Sequence, residues 1–358
     1  MSKRMNPAVS IVIVNYNGKD YIDKCILSIL SSIETYSDFE LIIVDNGSND
    51  GTVAFIRSKY EIFLYMIKFV ELNQNYGPAR ARNEGVKIAS GKYIGFLDND
   101  TIVDKNWILA GVRKFESNNK IGVIQCKLLL MDEPNKIDSI GEWIGRNGFL
   151  IQIAPVGSPD NEEYNKEYKI LSAKSAGMFI RKDVFDTIGG FDDDYFIYME
   201  ETDLCWRVLL IGYENIFLPD SIVFHKFGTS SVILGKDKIN YALKFHGTKN
   251  YILTLLKNLN SLNLVFIVPI HILLWIGLAY FGLIYKRKLA FFIYIHKGIL
   301  WNVVNILKTF QKRKSIQKVR IISDKDIFYA LMKKRSFFYY VNKVLSNNNI
   351  GNSKSYFE

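Results

Sequence analysis

Four short β-branched runs recur at similar spacing in the N-terminal part of the chain: Ser10 to Val14, Leu41 to Val44, Ile67 to Leu72 and Tyr93 to Leu97. The stretches between them carry helical periodicity, as in Tyr21, Cys25, Ile26, Ile29 and Leu30 of the first. Strand, helix, strand at this spacing predicts repeated βαβ units, hence an α/β fold whose mostly parallel sheet is flanked by helices. Each run ends in polar residues: Asn15-Tyr16-Asn17-Gly18, Asp45-Asn46-Gly47-Ser48, Asn73-Gln74-Asn75 and Asp98-Asn99-Asp100. One such cluster is what any turn shows. Four in register at the carboxyl ends of parallel strands predict a shared ligand crevice.

The dinucleotide-binding G-x-G-x-x-G is missing after the first strand, and no G-x-x-x-x-G-K-[ST] occurs anywhere in the sequence. Another device must hold a phosphate ligand. Asp98-Asn99-Asp100 is the best candidate, because alternate residues of an extended segment point to one side and bring two carboxylates together. Hard Mn²⁺ or Mg²⁺ prefers such oxygen ligands and shares them with substrate phosphates. An isolated D-x-D is as readily a solvated acidic turn; its place at the end of the strand series gives it weight.

Several runs resemble glycosyltransferase family 2, most closely its rhamnosyltransferase-like branch. They are Val12-Ile13-Val14-Asn15-Tyr16-Asn17-Gly18, Val44-Asp45-Asn46-Gly47-Ser48, the Gly77 to Gly85 stretch and Phe96-Leu97-Asp98-Asn99-Asp100. Ser175-Ala176-Gly177-Met178-Phe179, Gly189-Gly190-Phe191-Asp192 and Glu200-Glu201-Thr202-Asp203-Leu204-Cys205-Trp206-Arg207 continue the series. The resemblance covers roughly the first two-thirds of the chain and implies a GT-A fold with an inverting displacement at the anomeric carbon. It implies that Asp45 holds the nucleobase, that Asn15 and Arg82 lie near the nucleoside, and that Asp98, with Asn99 beside it, meets the ribose and metal. Asp100 becomes the principal metal ligand. Glu201 matches the position of the family's Asp base, one methylene longer, which leaves Glu200 as its rival.

A one-step inverting transfer needs a base to take the acceptor proton. Carboxylates in the first turn of a helix are also stabilised there without catalysing anything. His225 ends a strand-like run at a place where relatives carry a His that reaches the metal or diphosphate. Gly177 permits close backbone approach to a sugar, and a packing glycine inside a strand has the same appearance.

Further along, strands are expected around Gly122 to Leu130, Ser172 to Arg181, Ile216 to Leu218 and Ile222 to Phe224, and a helix from Glu200 to Ile211. Leu264 to Tyr285 is apolar without a formal charge and about long enough to cross a bilayer, which takes roughly 20 apolar residues. From Leu289 to Leu307 an interfacial amphipathic pattern sets Gly298, Asn302, Asn305 and Thr309 opposite Phe291, Phe292, Ile295 and Ile299. The formal net charge of +10 points to an anionic partner, and its excess after Lys286, in Lys286 to Lys288 and Lys308 to Arg320, favours a lipid surface over nucleic acid.

Lys249 and Lys257 before the apolar pair and the Lys308 to Arg320 stretch after it predict that both ends stay cytosolic. A hairpin or in-plane anchor is favoured over one full span, the other reading being a helical pair buried on the protein. Cys25, Cys126 and Cys205 have no paired spacing, so neither disulfides nor zinc are indicated, and the N-terminal residues lack a secretory h-region.

The expected organisation is a catalytic domain over 1–235 (1–100 the nucleotide-binding half, 101–235 the acceptor-side half). A helical membrane-associating region over 236–345 and a flexible tail over 346–358 follow. The expected activity is transfer from a UDP- or dTDP-sugar to a glycan or lipid-linked acceptor at the cytoplasmic membrane face. A sugar-phosphate nucleotidyltransferase and an inactive membrane-bound scaffold are the alternatives.

Overall fold

The computed structural model describes residues 7–226, 228, 242–285 and 287–334. The expected tail over 346–358, Lys286 and the residues 229–231 after His225 lie outside these.

The four expected N-terminal strands form: β1 (Val9–Asn15), β2 (Phe39–Asp45), β3 (Ile67–Glu71) and β4 (Tyr93–Asp98). They pair in parallel, in the order β4-β1-β2-β3. The connections are α1 (Lys19–Ser31), α2 (Thr52–Lys59) and α3 (Pro78–Lys87). Because strand side chains alternate in direction, Ile11, Ile13, Leu41 and Ile43 enter one apolar layer. Val12, Ile42, Val44 and Phe96 enter the layer on the other face. Helices on both faces explain why these runs read as continuous apolar stretches rather than alternating ones.

The second half of the sheet is mixed. After β5 (Thr101–Val103) and α4 (Trp107–Ser117) come the long β6 (Ile121–Leu130), then β7 (Glu133–Ser139), β8 (Glu142–Gly145), β9 (Leu150–Gln152) and β10 (Tyr168–Lys169). β11 (Gly177–Arg181) lies antiparallel between β4 and β6. The short α5 (Lys182–Ile188) and then α6 (Glu200–Leu210) precede β12 (Glu214–His225). The two strands expected at Ile216 to Leu218 and Ile222 to Phe224 are this one strand, with a register shift against β6 between Leu218 and Ile222. Pro219 has no N–H to give the ladder, which is why the pairing breaks there.

The C-terminal part is helical: α7 (Gly247–Asn258), α8 (Ser261–Ile284), α9 (Leu289–Val304), α10 (Ile306–Lys318) and α11 (Asp324–Leu331), ending in β13 (Met332–Lys333). β13 adds to β8, in a small sheet with β9. Helix α7 is a core helix whose Ile252, Leu255 and Leu256 pack with Trp206 and Leu209 of α6. α8 continues through Pro269 and is long and apolar enough to cross a membrane. Residues 289–318 form a pair, α9 and α10, bent by 66°.

Two expectations about this region are overturned. In α9 the polar side faces the protein. Asn302 is buried, its amide donating to the carbonyl oxygens of Lys249 and Gly298, and Thr309 is buried as well. Gly298 sits so close to α7 that a Cβ there would lie 2.9 Å from Thr248 Cβ. The exposed face is apolar instead, with Leu289, Leu300, Val303, Val304 and Leu307 open to the outside.

The basic stretch from Lys308 to Arg320 is also largely engaged by the protein itself. Lys308 pairs with Asp194, and Lys312 with Asp192 and Asp194. Arg313 donates to the Leu256 and Leu259 carbonyls, and Arg320 pairs with Asp324. Lys257 is buried between Asp192 and Asp203, and Lys249 donates to the Asp194 and Tyr195 carbonyls. Sequence position beside an apolar run marked these lysines as headgroup ligands. The acidic loop 192–194, distant in sequence, claims them.

Candidate active site

The polar strand ends converge as expected. Tyr16, Asn46, Asn75, Asp98, Asn99 and Asp100, one or more from each cluster, line a single cavity of about 560 Å³. The two carboxylates approach each other through a turn and not an extended segment. β4 ends at Asp98, the Thr101 hydroxyl donates 2.7 Å to the Asp98 carbonyl, and Asn99 and Asp100 form the turn between. β5 then runs antiparallel to β12 with Thr101 opposite His225.

That register brings the His225 ring to Asp100, Nε2 to Oδ1 3.6 Å. One ligand atom each from Asp98, Asp100 and His225 lie within 4.8 Å of one another. The opposite ring nitrogen, Nδ1, is 2.8 Å from Asp138 Oδ2, whose other oxygen accepts from Lys174 at 3.1 Å. A carboxylate behind a histidine fixes which nitrogen faces a metal. Two carboxylate oxygens and an imidazole nitrogen suit Mn²⁺ and Mg²⁺ by donor chemistry. Burial opposes charging of His225, and the bond to Asp138 with the carboxylates of Asp100 and Asp98 outweighs it, raising its pKa to about 9.

Asn15 and Asp45 lie below the cavity rather than on its wall. The Asn15 amide donates to Asp45 Oδ1 at 2.9 Å and its oxygen accepts from Asn99 at 2.7 Å. Asp45 Oδ2 accepts the Ser48 N–H at 2.9 Å. They tie the ends of β1, β2 and β4 together and so hold Asn46, Asn99 and Asp98 in place. Gly177 is a packing glycine: it does not line the cavity, and a Cβ would meet Leu128 Cδ2 at 2.6 Å in the core.

Arg82 lines the cavity while nearly buried, donating 3.0 Å to Asp98 and 3.0 Å to Glu200. Glu200 is buried, and burial together with the neighbouring Glu201 pushes its pKa up to about 8 against the pull of Arg82. Glu201 is more open; its Oε1 accepts the Ser175 hydroxyl at 2.6 Å and faces the same cavity. The loop before α6 is strained, with Phe196, Tyr198 and Met199 at φ between 62° and 68°. Asn250 of α7 is buried beneath it and donates to the carbonyls of Tyr195, Ile197 and Tyr198 at 3.0, 2.8 and 2.6 Å. The acid pair thus stands on a loop clamped by the helical region.

Asp138, Lys174 and Asn250 gave no signal in the sequence, and Ser175 stood in a family-like run without a role of its own. Each acts through a partner 26 or more positions away. The cavity also extends where the sequence offered no hint, to Phe149, Leu150, Leu243, Lys244, Tyr251 and Trp275.

The model of the family described as "Glycosyl transferase family 2" matches residues 10–189, half of the chain. The chain belongs to this family. The match includes Asn15, Asp45, Arg82, Asp98, Asp100 and Gly177 and ends before Glu200, Glu201 and His225.

A poly-beta-1,6-N-acetyl-D-glucosamine synthase of Staphylococcus epidermidis is 25% identical over 239 residues, 66% of this chain and 54% of the synthase. Glycosyltransferase AglE of Haloferax volcanii is 27% identical over 230 residues, 61% of this chain and 67% of AglE. The chain therefore spans little more than half the length of the synthase.

Among solved structures, GalNAc-T7 with UDP, GalNAc and Mn²⁺ has a TM-score of 0.59 at 14% identity, covering 95% of this chain and 58% of that one. S. aureus TarS 1-349 in complex with UDP-GlcNAc has a TM-score of 0.54 at 17% identity, covering 80% and 77%. At these identities the likeness gives the fold, and the fold of this chain is the GT-A arrangement expected from its motifs.

Proposed function

We propose that this glycosyltransferase moves a sugar, with inversion, from a nucleoside-diphosphate sugar to an acceptor hydroxyl in a divalent-cation-dependent reaction. The acceptor is a glycan or a lipid-linked glycan at the cytoplasmic face of a membrane. The observation that carries the reading is that Asp98, Asp100 and His225 share one cavity with Glu201. The UDP and Mn²⁺ named for GalNAc-T7 and the UDP-GlcNAc named for TarS support a UDP-sugar donor here; a dTDP-sugar remains within the proposal.

Asp98, Asp100 and His225 would hold Mn²⁺ or Mg²⁺. When bound, the cation would offset charge growing on the diphosphate leaving group. Glu201 removes the acceptor proton as the hydroxyl attacks, and Ser175 orients its carboxylate. Glu200 is the weaker candidate for the base because it is buried against Arg82 and its proton is held to about pH 8. Arg82 stands between the two functions, joining Asp98 to Glu200.

The test is turnover of UDP-sugars and dTDP-sugars by the full-length protein. Glu201→Gln is expected to lower transfer by roughly 10² or more with donor affinity little changed, and Glu200→Gln to do less. Full activity of Glu201→Gln would refute its role.

A further inference from the structure

The cavity's second end is built by the helical region and has a character unlike the first. Phe149, Leu150, Tyr251 and Trp275 give it an apolar, aromatic wall, and Lys244 stands among them. Four lysines are buried among the described residues: Lys127, Lys244, Lys249 and Lys257. Lys127 meets Asp160, Lys249 meets two backbone carbonyls, and Lys257 meets Asp192 and Asp203. Among the described residues, no carboxylate or carbonyl partner is recorded for Lys244. Its ammonium lies 4.3 Å from the centre of the Phe291 ring. Burial and the nearby positive charge of Lys288 lower its pKa to about 8. A buried cation that feels a second positive charge and has no counter-charge among the described residues is costly unless a ligand brings the anion.

The apolar surface begins one helix away. α8 contributes Trp275 to the cavity, while Phe266, Ile270 and Leu273 on its outward face are more than half exposed. A helix with its side chains is only about 10 Å across. A molecule with an anionic head at Lys244 and an apolar chain long enough to cross that distance would therefore satisfy both features.

Resting on the reading of this cavity as the site of sugar transfer, we propose that its helical end is an acceptor subsite for a lipid carrying a phosphate headgroup. Lys244 pairs with the phosphate, the Phe149, Tyr251 and Trp275 wall takes the first part of the chain, and the rest lies along the exposed face of α8. The acceptor sugar hydroxyl is thereby directed toward Glu201.

The probes are dodecyl phosphate, dodecanol and inorganic phosphate, titrated calorimetrically into full-length protein in nonionic detergent. Dodecyl phosphate should bind tightest. Lys244→Met should weaken it by roughly tenfold or more, the scale of a lost charge-assisted hydrogen bond. Lys244→Arg, which keeps the charge, should bind within a few-fold of wild type and guards against loss of fold as the cause.

Equal affinity for dodecanol would reduce the site to an apolar groove, and equal affinity for inorganic phosphate would make it a soluble-anion site. Either result overturns the proposal, as does an unchanged affinity in Lys244→Met. UDP and dTDP, each with Mn²⁺, are titrated into the wild-type protein in parallel. If neither nucleotide binds, the transferase reading falls; if one binds and dodecyl phosphate shows no dependence on Lys244, only this inference falls.

Discussion

Glu200 and Glu201 are neighbours in sequence with opposite environments. Both line the cavity, but Glu200 is buried against Arg82, while Glu201 is more open and is held by Ser175. The buried carboxyl has a pH consequence. Its folded-state pKa, about 8, lies above the ordinary value of 4.5. A raised pKa means that the folded state holds the proton more tightly than the unfolded chain. The stability it contributes is therefore complete below about pH 4.5 and is lost as pH rises through 8. The melting temperature of the wild type should fall over this interval, and Glu200→Gln, which cannot ionise, should show a flatter profile in calorimetry. A steeper fall in the variant would contradict the assignment.

At the level of elements, α7 does more than support a membrane segment. Its Asn250 amide shares two N–H groups among three carbonyls within reach, in a loop where Phe196, Tyr198 and Met199 have positive φ. Removing that amide strands buried acceptors, at about 1–3 kcal/mol for each one left unpaired. Asn250→Ala should lower the melting temperature and reduce transfer more than it reduces UDP binding, because the acid pair is displaced while the strand ends around Asn15 and Asp98 are untouched. Transfer and UDP affinity falling in equal proportion would mean that the loop does not position the acids.

The elements differ in how legible they were. β1 to β4 were readable because strands buried on both faces leave unbroken β-branched runs, and their polar ends were readable because turns and ligands both need Asn, Asp and Gly there. β7 was not, since Glu133-Pro134-Asn135-Lys136 has no strand pattern, and β6 rather than local propensity holds it. The faces of α9 were misread because helical periodicity does not say which sides meet the protein: Asn302 of the polar side and Phe291 and Ile295 of the apolar side are all buried, and Leu300, Val303 and Val304 face out. Asn302 is inside because α7 offers it carbonyls. In the candidate site, the convergence of Asp98, Asp100, Glu201 and His225 on one cavity was legible from motif and strand end. Asp138, Lys174 and Asn250 were not, because a side chain's partner across the fold leaves no mark on its neighbours in sequence.

On the scale of the whole molecule, α8 and α9 pack together through Ala279, Phe291 and Ile295, each carries exposed apolar residues, and Trp275 of α8 lines the cavity. With Lys257, Lys308, Lys312 and Arg313 committed to internal partners, the proposed attachment to a membrane would rest mainly on apolar insertion. Exposed Lys288, Lys297, Lys314 and Lys318 are left to meet anionic headgroups. High salt, which screens charge and leaves insertion intact, should therefore not release the full-length protein from membranes, while detergent should. Release by salt alone would refute insertion.

The central claim is that Asp98, Asp100 and His225 hold a cation that binds the donor diphosphate. The most direct measurement is the melting temperature of full-length protein with UDP, dTDP or GDP, each in Mn²⁺ and in EDTA, for wild type and Asp100→Asn. Ligand binding to the folded state raises stability by mass action. The account predicts that UDP or dTDP raises the wild-type melting temperature in Mn²⁺ and much less in EDTA, and that Asp100→Asn, still folded, loses the metal-dependent part of the shift. A nucleotide shift of the same size in EDTA, or one that Asp100→Asn leaves intact, would contradict it.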